Sequence, residues 1–351
     1  MLRKALFSAL ALASSLALCA AKEIEFTYKS SFDSTEQTAA GYVPDSCDNK
    51  TPLPLVIVAH GMGCDKKQAK GLGYYETAEK ENFIVICPEL HGLNSPGQTS
   101  LAAIPAQRDI LDAIDYAFKN YNINKRRVYI TGRSMGGMMA MLMALKHPDI
   151  FAAAVAGQGV YDLKYWYGNS LPFFKKPILA EMKTPPAPDN DFDYLRRSPI
   201  SFAQNAPYTA IFMWHGTNDK WVPTVLSEMM FDELKKYNKY QAPVSYRNAS
   251  SHCELNFPAS WEWEQLKTYE NISDSASQIS SRFFDSLDVI VDEDGSMFYL
   301  VFELENKNAF GRIKAEIMDS VLTITTENIA KLTVDENKLP LKLKSTKINK
   351  K

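Results

Sequence analysis

The chain has 351 residues, of which 46% are hydrophobic and 23% charged, and its formal net charge is −2. The charge balance excludes a nucleic-acid-binding protein, which needs a positively charged surface to contact phosphates. The hydrophobic content excludes a disordered polar chain. A chain of this length usually divides into more than one hydrophobic core, so we expect one large domain and a smaller second domain.

The first 21 residues have the layout of a secretory signal peptide. A basic start is followed by an apolar run from Ala5 to Leu18 and by small residues before the polar Lys22. The run is shorter than the roughly 20 residues that span a bilayer. We therefore expect cleavage near Ala21, with lipid attachment at Cys19 as the alternative. The mature protein would be secreted or periplasmic, with no membrane contact.

Four of the five cysteines lie beyond this segment, at Cys47, Cys64, Cys87 and Cys253. An even number in an oxidising compartment permits disulfides in three connectivities. Cys87 ends an apolar run, which favours a small buried residue. Cys64 and Cys253 are the candidate pair, because each follows a segment with a candidate function.

From about residue 53, short apolar runs alternate with helical patterns. The predicted strands cover residues 55–59, 83–87, 128–131, 152–156, 209–214 and 244–246, and the predicted helices include 68–81, 110–118 and 136–146. This alternation indicates parallel βαβ units in a sheet covered on both faces. We expect a doubly wound, mostly parallel α/β domain over residues 22–272, with a lid or rim insertion at about 161–205.

The pattern changes after about residue 275, where apolar residues alternate with polar ones. The runs begin at Leu287, Val289 and Val291 and continue to Leu341 and Leu343. This period of two predicts a small all-β module over residues 275–351, with a sandwich as the expected form. The module contains none of the tryptophans, so a packing or spacing role is the simpler interpretation.

Residues 132–137 read GRSMGG and match the pattern G-x-S-x-G. The match follows a predicted strand at once and opens a predicted helix, the context in which such a turn exposes a nucleophile. Glycines leave room for the tight backbone, and the helix N-terminus favours nearby negative charge. Ser134 is therefore the candidate nucleophile.

A serine hydroxyl needs a base to take its proton and an acid to orient that base. His252 follows the predicted strand at 244–246, and Asp219 follows the strand at 209–214. The order nucleophile, acid, base brings three strand ends to one edge of the sheet. The other four histidines suit other roles in loops or at element ends: His60, His91, His147 and His215.

The oxyanion formed during acyl transfer needs donors that do not reorganise. The backbone N–H of Met135 is one candidate, and the loop at residues 60–63, with Met62, is the source of the other. This chemistry requires no cofactor, and no clustered ligand spacing predicts a metal.

The segments 60–61, 132–137, 197–200 and 215–219 resemble the α/β-hydrolase superfamily. The likeness is greatest to prolyl-oligopeptidase-like and to polyhydroxybutyrate-depolymerase-like or feruloyl-esterase-like members, and it covers about residues 50–270. The resemblance implies the triad roles for Ser134, Asp219 and His252. Oligopeptidases of this kind place a propeller before the hydrolase domain as a size filter, and no segment of that length precedes the first strand predicted here.

We therefore expect a secreted serine carboxylesterase that acts on a small-molecule or polymer-borne ester, such as a plant-wall or polyester ester. A secreted serine peptidase is the alternative, and a catalytically silent binding protein is a third hypothesis. Tyr161, Trp166 and Trp221 are the candidate rim residues for the acyl group. The sequence makes no prediction of oligomeric state.

Overall fold

The computed structural model describes residues 22–92, 100–189, 191–237, 243–252, 254, 257–271, 286–339 and 341–350. The predicted signal peptide, Cys253 and the predicted boundary near residues 272–275 lie outside these ranges. In the described ranges, no helix is both long and apolar enough to cross a membrane.

An eight-stranded sheet forms the centre of the larger part of the molecule, in the order β1-β2-β4-β3-β5-β6-β7-β8. Its strands are β1 Lys22–Lys29, β2 Glu36–Val43, β3 Leu53–Ala59, β4 Ile84–Pro88, β5 Ile123–Arg133, β6 Ala153–Gly157, β7 Ala210–Gly216 and β8 Val244–Asn248. The strands from β3 to β8 pair in parallel, whereas β1 and β2 extend the edge beyond β4 in antiparallel fashion.

Helices cover both faces of this sheet. They are α1 Gln68–Gly71, α2 Tyr74–Glu81, α3 Ile104–Asn120, α4 Met135–Lys146, α5 Leu163–Asn169, α6 Pro172–Met182, α7 Asp191–Leu195, a 3-10 helix Pro199–Tyr208, α8 Val225–Tyr237 and α9 Ala259–Leu266. One apolar cluster includes residues of α3, α4 and α8, and a second includes residues of α2 and α9. The doubly wound, mostly parallel α/β fold is therefore confirmed.

The prediction of one continuous helix over residues 68–81 is wrong. The structure divides it into α1 and α2 at Gly73, whose φ of +81° is left-handed. Glycine adopts this conformation without the steric cost of a Cβ, so the periodic pattern on either side does not produce a continuous helix.

A separate β-sheet region follows at the C-terminal end. Its strands are β9 Ser286–Val291, β10 Gly295–Met297, β11 Leu300–Leu304, β12 Gly311–Met318, β13 Val321–Glu327, β14 Ile329–Val334 and β15 Ser345–Lys350. They form one sheet of three strands and one of four around a shared apolar cluster. The predicted run at Leu341 and Leu343 is not a strand, because the last strand begins at Ser345.

The C-terminal sheets contact the α/β part through polar and aromatic side chains. The amide of Asn205 donates to the carbonyl of Ile290 at 2.9 Å and accepts from its N–H at 2.8 Å. Phe310 packs edge-on against Phe192 and Phe202. These contacts fix the 3-10 helix and its neighbours against β9.

Asp149 also lies at this contact, where burial raises its pKa to about 6. Its Oδ2 accepts from the N–H of Phe298 at 3.2 Å, and its Oδ1 has no hydrogen-bond partner among the described residues. Between the usual carboxyl pKa near 4 and this raised value, the folded chain binds more protons than the unfolded chain. This carboxyl therefore makes stability fall as pH rises through that window.

We expect Asp149→Asn to leave the free energy of unfolding almost unchanged at about pH 4. At about pH 7.5 it should raise that free energy by roughly 1–3 kcal/mol, because it removes a carboxyl whose pKa lies about two units high. Urea unfolding at both pH values measures the difference. Asp232→Asn, on an exposed side chain, serves as the control, and an equal effect of Asp149→Asn at both pH values would contradict the prediction.

Candidate active site

Ser134 occupies the sharp turn between β5 and α4. Its φ of 57° and ψ of −121° are strained for a residue with a side chain. A Cβ at Gly132 would overlap the carbonyl of Gly136, and one at Gly136 would overlap the carbonyl of Ala59. These glycines therefore let α4 start directly against the strand ends, with the Ser134 side chain above the sheet.

The structure brings the three predicted triad residues together. The Ser134 Oγ lies 2.8 Å from His252 Nε2, and His252 Nδ1 lies 2.6 Å from Asp219 Oδ2. The neutral histidine that fits both contacts donates from Nδ1 and accepts the serine proton at Nε2. This is the geometry required of a nucleophile, a base and an orienting acid.

Asp219 is kept ionised by its surroundings. Burial would raise its pKa, but hydrogen bonds from His215 and His252 outweigh that effect and hold the pKa well below its ordinary value. Its Oδ1 accepts from the N–H groups of Trp221 and Val222 at 2.8 and 2.9 Å. The carboxylate is therefore fixed in position as well as in charge.

His215 contacts the candidate acid directly, a contact that the sequence analysis missed. Its Nε2 donates to Asp219 Oδ2 at 3.1 Å and to the carbonyl of Val222 at 3.0 Å. Its Nδ1 then accepts from the Ser227 hydroxyl at 2.6 Å. The four-residue spacing between His215 and Asp219 was the available signal, since it places both at the end of β7.

Two further residues support the loop that carries His252. The Gln158 side chain donates to the carbonyl of His252, and its own φ of 41° is left-handed. Arg133, beside the candidate nucleophile, donates to the carbonyl of Phe257 and to the buried carboxylate of Glu262. Neither role is visible in the sequence, because both depend on contacts between distant segments.

A small apolar pocket opens beside Ser134. Its volume is about 110 Å³, and its lining consists of Met62, Leu101, Ser134, Met135, Val160, Trp166, Phe174, Trp221, Val222 and His252. Both candidate oxyanion residues and two of the three predicted rim residues thus surround one space. Tyr161 does not lie at the rim: it is fully buried, and its hydroxyl donates to the carbonyl of Ala156 at 3.0 Å.

A wider and more polar cleft adjoins the other side of His252. Its volume is about 750 Å³, and its lining consists of Thr217, Asn218, Asp219, Lys220, Trp221, Ser251 and His252. Trp221 is 44% exposed, and its ring centroid lies 5.2 Å from that of His252. The site therefore combines a narrow apolar pocket with an open polar approach.

The candidate disulfide stays a prediction, because Cys253 lies outside the described residues. Cys87 is fully buried, and this burial raises the pKa of its thiol. Within the described part of the chain, no three His, Cys, Asp or Glu side chains are grouped so as to hold a metal ion.

A mostly parallel sheet, a serine at a strand-to-helix turn and later strands that present a carboxylate and a histidine define the α/β-hydrolase class. The sequence pattern of the prolyl oligopeptidase family matches residues 76–265, and the chain belongs to this family. The resemblance stated from the sequence motifs is therefore confirmed.

Esterases are among the similar proteins. An acetylxylan esterase of Coprinopsis cinerea is 28% identical over 218 residues, which cover 58% of this chain and 56% of that protein. Feruloyl esterase B of Neurospora crassa is 27% identical over 217 residues, which cover 60% of this chain and 72% of that protein. The chain thus spans only about half the length of the first of these relatives.

Solved structures agree on the fold. A ferulic acid esterase superposes with a TM-score of 0.55 at 14% identity, covering 71% of this chain and 97% of that one. An acylaminoacyl peptidase of Pyrococcus horikoshii superposes with a TM-score of 0.54 at 19% identity, covering 72% of this chain and 41% of that one. At these identities the likeness shows the fold alone, and it includes both an esterase and a peptidase.

Proposed function

We propose that the protein is a carboxylic ester hydrolase that works through Ser134, His252 and Asp219. The observation that carries the serine-hydrolase mechanism is the continuous hydrogen-bonded series from Ser134 Oγ through the His252 ring to Asp219 Oδ2, with distances of 2.8 and 2.6 Å. The reaction consumes only the ester and water.

The reaction proceeds in two acyl transfers. Ser134 Oγ attacks the carbonyl carbon while His252 Nε2 takes its proton, and Asp219 stabilises the imidazolium that forms. His252 then gives this proton to the departing alcohol oxygen, which leaves an acyl group on Ser134. A water molecule that His252 deprotonates then attacks the acyl carbon, and His252 returns this proton to Ser134 Oγ as the bond to the acyl group breaks and the acid is released.

The backbone N–H groups of Met62 and Met135 are our candidates for the oxyanion donors. Met135 is the first residue of α4, where the helix leaves its initial N–H groups without partners inside the helix. Met62 lines the same pocket as Ser134. We therefore expect both N–H groups to donate to the carbonyl oxygen of an ester held against the serine.

The two sides of the site favour a small acyl group and a larger polar alcohol. At about 110 Å³, the pocket is far smaller than the roughly 300–1,000 Å³ typical of ligand pockets, so it favours a short acyl chain. The leaving alcohol must approach His252, and the open cleft there offers hydroxyl, amide and ammonium groups. This arrangement and the similarity to an acetylxylan esterase and a feruloyl esterase support a polymer-borne ester of the plant wall as the substrate. A polyester is the other candidate substrate.

A secreted serine peptidase is the alternative, and membership of the prolyl oligopeptidase family favours it. Amide hydrolysis uses the same triad, so the geometry of Ser134 and His252 does not separate the two reactions. We place ester hydrolysis first because the named relatives that align over most of this chain are esterases. Secretion belongs to the same proposal and follows from the layout of residues 1–21.

A substrate panel tests the proposal. We expect the purified protein to hydrolyse p-nitrophenyl acetate and acetylated xylan, with kcat/KM for acetyl esters at least about tenfold above that for feruloyl or hydroxybutyrate esters. Peptide p-nitroanilides should be cleaved far more slowly. Preferential cleavage of the anilides would establish the peptidase instead, and inactivity on every ester would refute the proposed function.

A further inference from the structure

Residues 100–102 form part of the wall of the pocket beside Ser134. Leu101 belongs to the pocket lining. Leu101 and Ala102 have φ values of 55° and 52°, so two successive residues with side chains are in the left-handed region. Such a conformation persists only where the surrounding structure enforces it, and it is concentrated at functional sites.

A buried ion pair from the 161–205 segment enforces this conformation from one side. Glu181 Oε2 accepts from the N–H and the hydroxyl of Ser100 at 3.2 and 3.4 Å. Arg197 Nη1 donates to Glu181 Oε1 at 3.0 Å and to the carbonyl of Ser100 at 3.4 Å. Ser100 is fully buried and the Glu181 side chain is 3% exposed, whereas the Arg197 side chain is 17% exposed. The carboxylate end of the pair is therefore the part that is sheltered from water.

The same segment is held from its other side by the α/β core. The Gln107 side chain donates to the carbonyl of Ala102 at 2.7 Å. The N–H of Leu101 donates to the Met135 sulfur at 3.1 Å. Leu101 therefore contacts the side chain of the residue that follows the nucleophile, and a shift of this wall changes the space in front of Ser134.

We propose that Glu181 and Arg197 are positioning residues that set the length of acyl chain the pocket admits, by fixing Leu101. This inference rests on the proposed ester hydrolysis. Neither charged residue is part of the pocket lining among the described residues. Glu181 and Arg197 act on the pocket through Ser100, and the preference for short acyl groups depends on both of them.

The physical reason is that the wall loses its support when the ion pair is broken. Without the Glu181 carboxylate, the buried N–H of Ser100 and the guanidinium of Arg197 lose their shared acceptor. The two left-handed residues can then relax to an ordinary conformation. Leu101 moves out of its place in the pocket wall, and the pocket admits a longer acyl chain.

The test compares one ratio between variants: kcat/KM for p-nitrophenyl hexanoate divided by kcat/KM for p-nitrophenyl acetate. We expect Glu181→Ala and Arg197→Ala to raise this ratio at least about tenfold, and Arg197→Lys, which keeps the charge, to raise it less. The concentration of active enzyme cancels in the ratio, so a partly unfolded preparation does not imitate the effect.

Asp191→Ala is the matched control. It breaks the ion pair with Lys164 in the same segment, at 2.8 Å, and both side chains are about one-third exposed. The ratio should stay at the wild-type value in this variant. A tenfold rise here would show that any disturbance of the segment changes specificity, and it would overturn the assignment to Glu181 and Arg197.

Leu101→Ala keeps the proposal falsifiable if the Glu181 variants do not fold. It truncates the wall directly and should also raise the ratio about tenfold. An unchanged ratio in Leu101→Ala, or in folded Glu181→Ala, would overturn the inference while leaving ester hydrolysis intact. A wild-type protein that cleaves neither ester would instead refute the proposed function.

Discussion

Replacement of Ser134 by alanine is expected to lower kcat for p-nitrophenyl acetate by about 10⁴- to 10⁶-fold. The variant keeps His252 and Asp219 in place but lacks the oxygen that would carry the acyl group. Any residual rate would reflect binding and oxyanion stabilisation of attack by water. Initial rates measured over a wide range of enzyme concentration would detect a loss of this size.

The covalent step can be checked separately from turnover. A fluorophosphonate should add once to the wild-type chain, at Ser134, and mass spectrometry of the digested protein would locate the adduct. Ser345→Ala, at an exposed position in the C-terminal sheets, is the control and should keep both the rate and the label. If Ser134→Ala retained more than about one-tenth of the wild-type rate, the assigned nucleophile would be incorrect.

The sequence predicted the three triad residues, because their chemical type and their order along the chain indicate the same site. Ser134, Asp219 and His252 were identified because each follows a different predicted strand, and parallel strands bring their carboxyl ends to one edge. The structure places His252 within hydrogen-bond distance of both Ser134 and Asp219.

The contacts that refine the site were not predictable in the same way. Glu181 meets Ser100 across 81 positions of the chain, and Gln158 meets His252 across 94. No local pattern records such a contact, since it depends on where the helices settle on the sheet. Tyr161 shows the opposite error: its place among other aromatic residues suggested a rim, but tertiary packing buries it completely.

Strand β15 was not predicted, because backbone hydrogen bonds rather than buried side chains hold it in its sheet. All six residues of β15 are exposed, and this edge strand pairs in parallel with β13 through backbone bonds. Its polar sequence therefore carried no period-two signal, whereas the nearby leucines at 341 and 343 did. Strand β1 does alternate, with Ile24, Phe26 and Tyr28 packed against the core, so its period-two signal was present and was overlooked. Strand β2 shows no such alternation.

A buried carboxylate, Asp292, adds an ion-pair cluster to the contact between the two parts of the molecule. Lys146 Nζ lies 2.7 Å from its Oδ1, and Arg196 Nε lies 3.0 Å from its Oδ2. The Lys146 and Asp292 side chains are only 3% and 1% exposed. Lys146 also donates to the Gln107 side chain at 2.8 Å, so this cluster joins the C-terminal sheets to α3 and α4.

We expect Asp292→Ala to lower the free energy of unfolding by about 3 kcal/mol, because it leaves the buried ammonium of Lys146 without its nearest counter-ion. Glu293 lies 3.5 Å from the same ammonium and should keep the loss from being larger. Urea denaturation followed by tryptophan fluorescence measures this effect.

Glu303→Ala is the matched control for Asp292→Ala, since it also removes a carboxylate of the C-terminal sheets from an ion pair. Its partner Lys331 lies 3.0 Å away, and both side chains are more than half exposed. An exposed pair of this kind contributes at most about 1 kcal/mol. The Asp292 pairs are buried and join the two parts, whereas the Glu303 pair is exposed and lies within one sheet. Equal losses in the two variants would therefore show that Asp292 does not stabilise the contact between the parts.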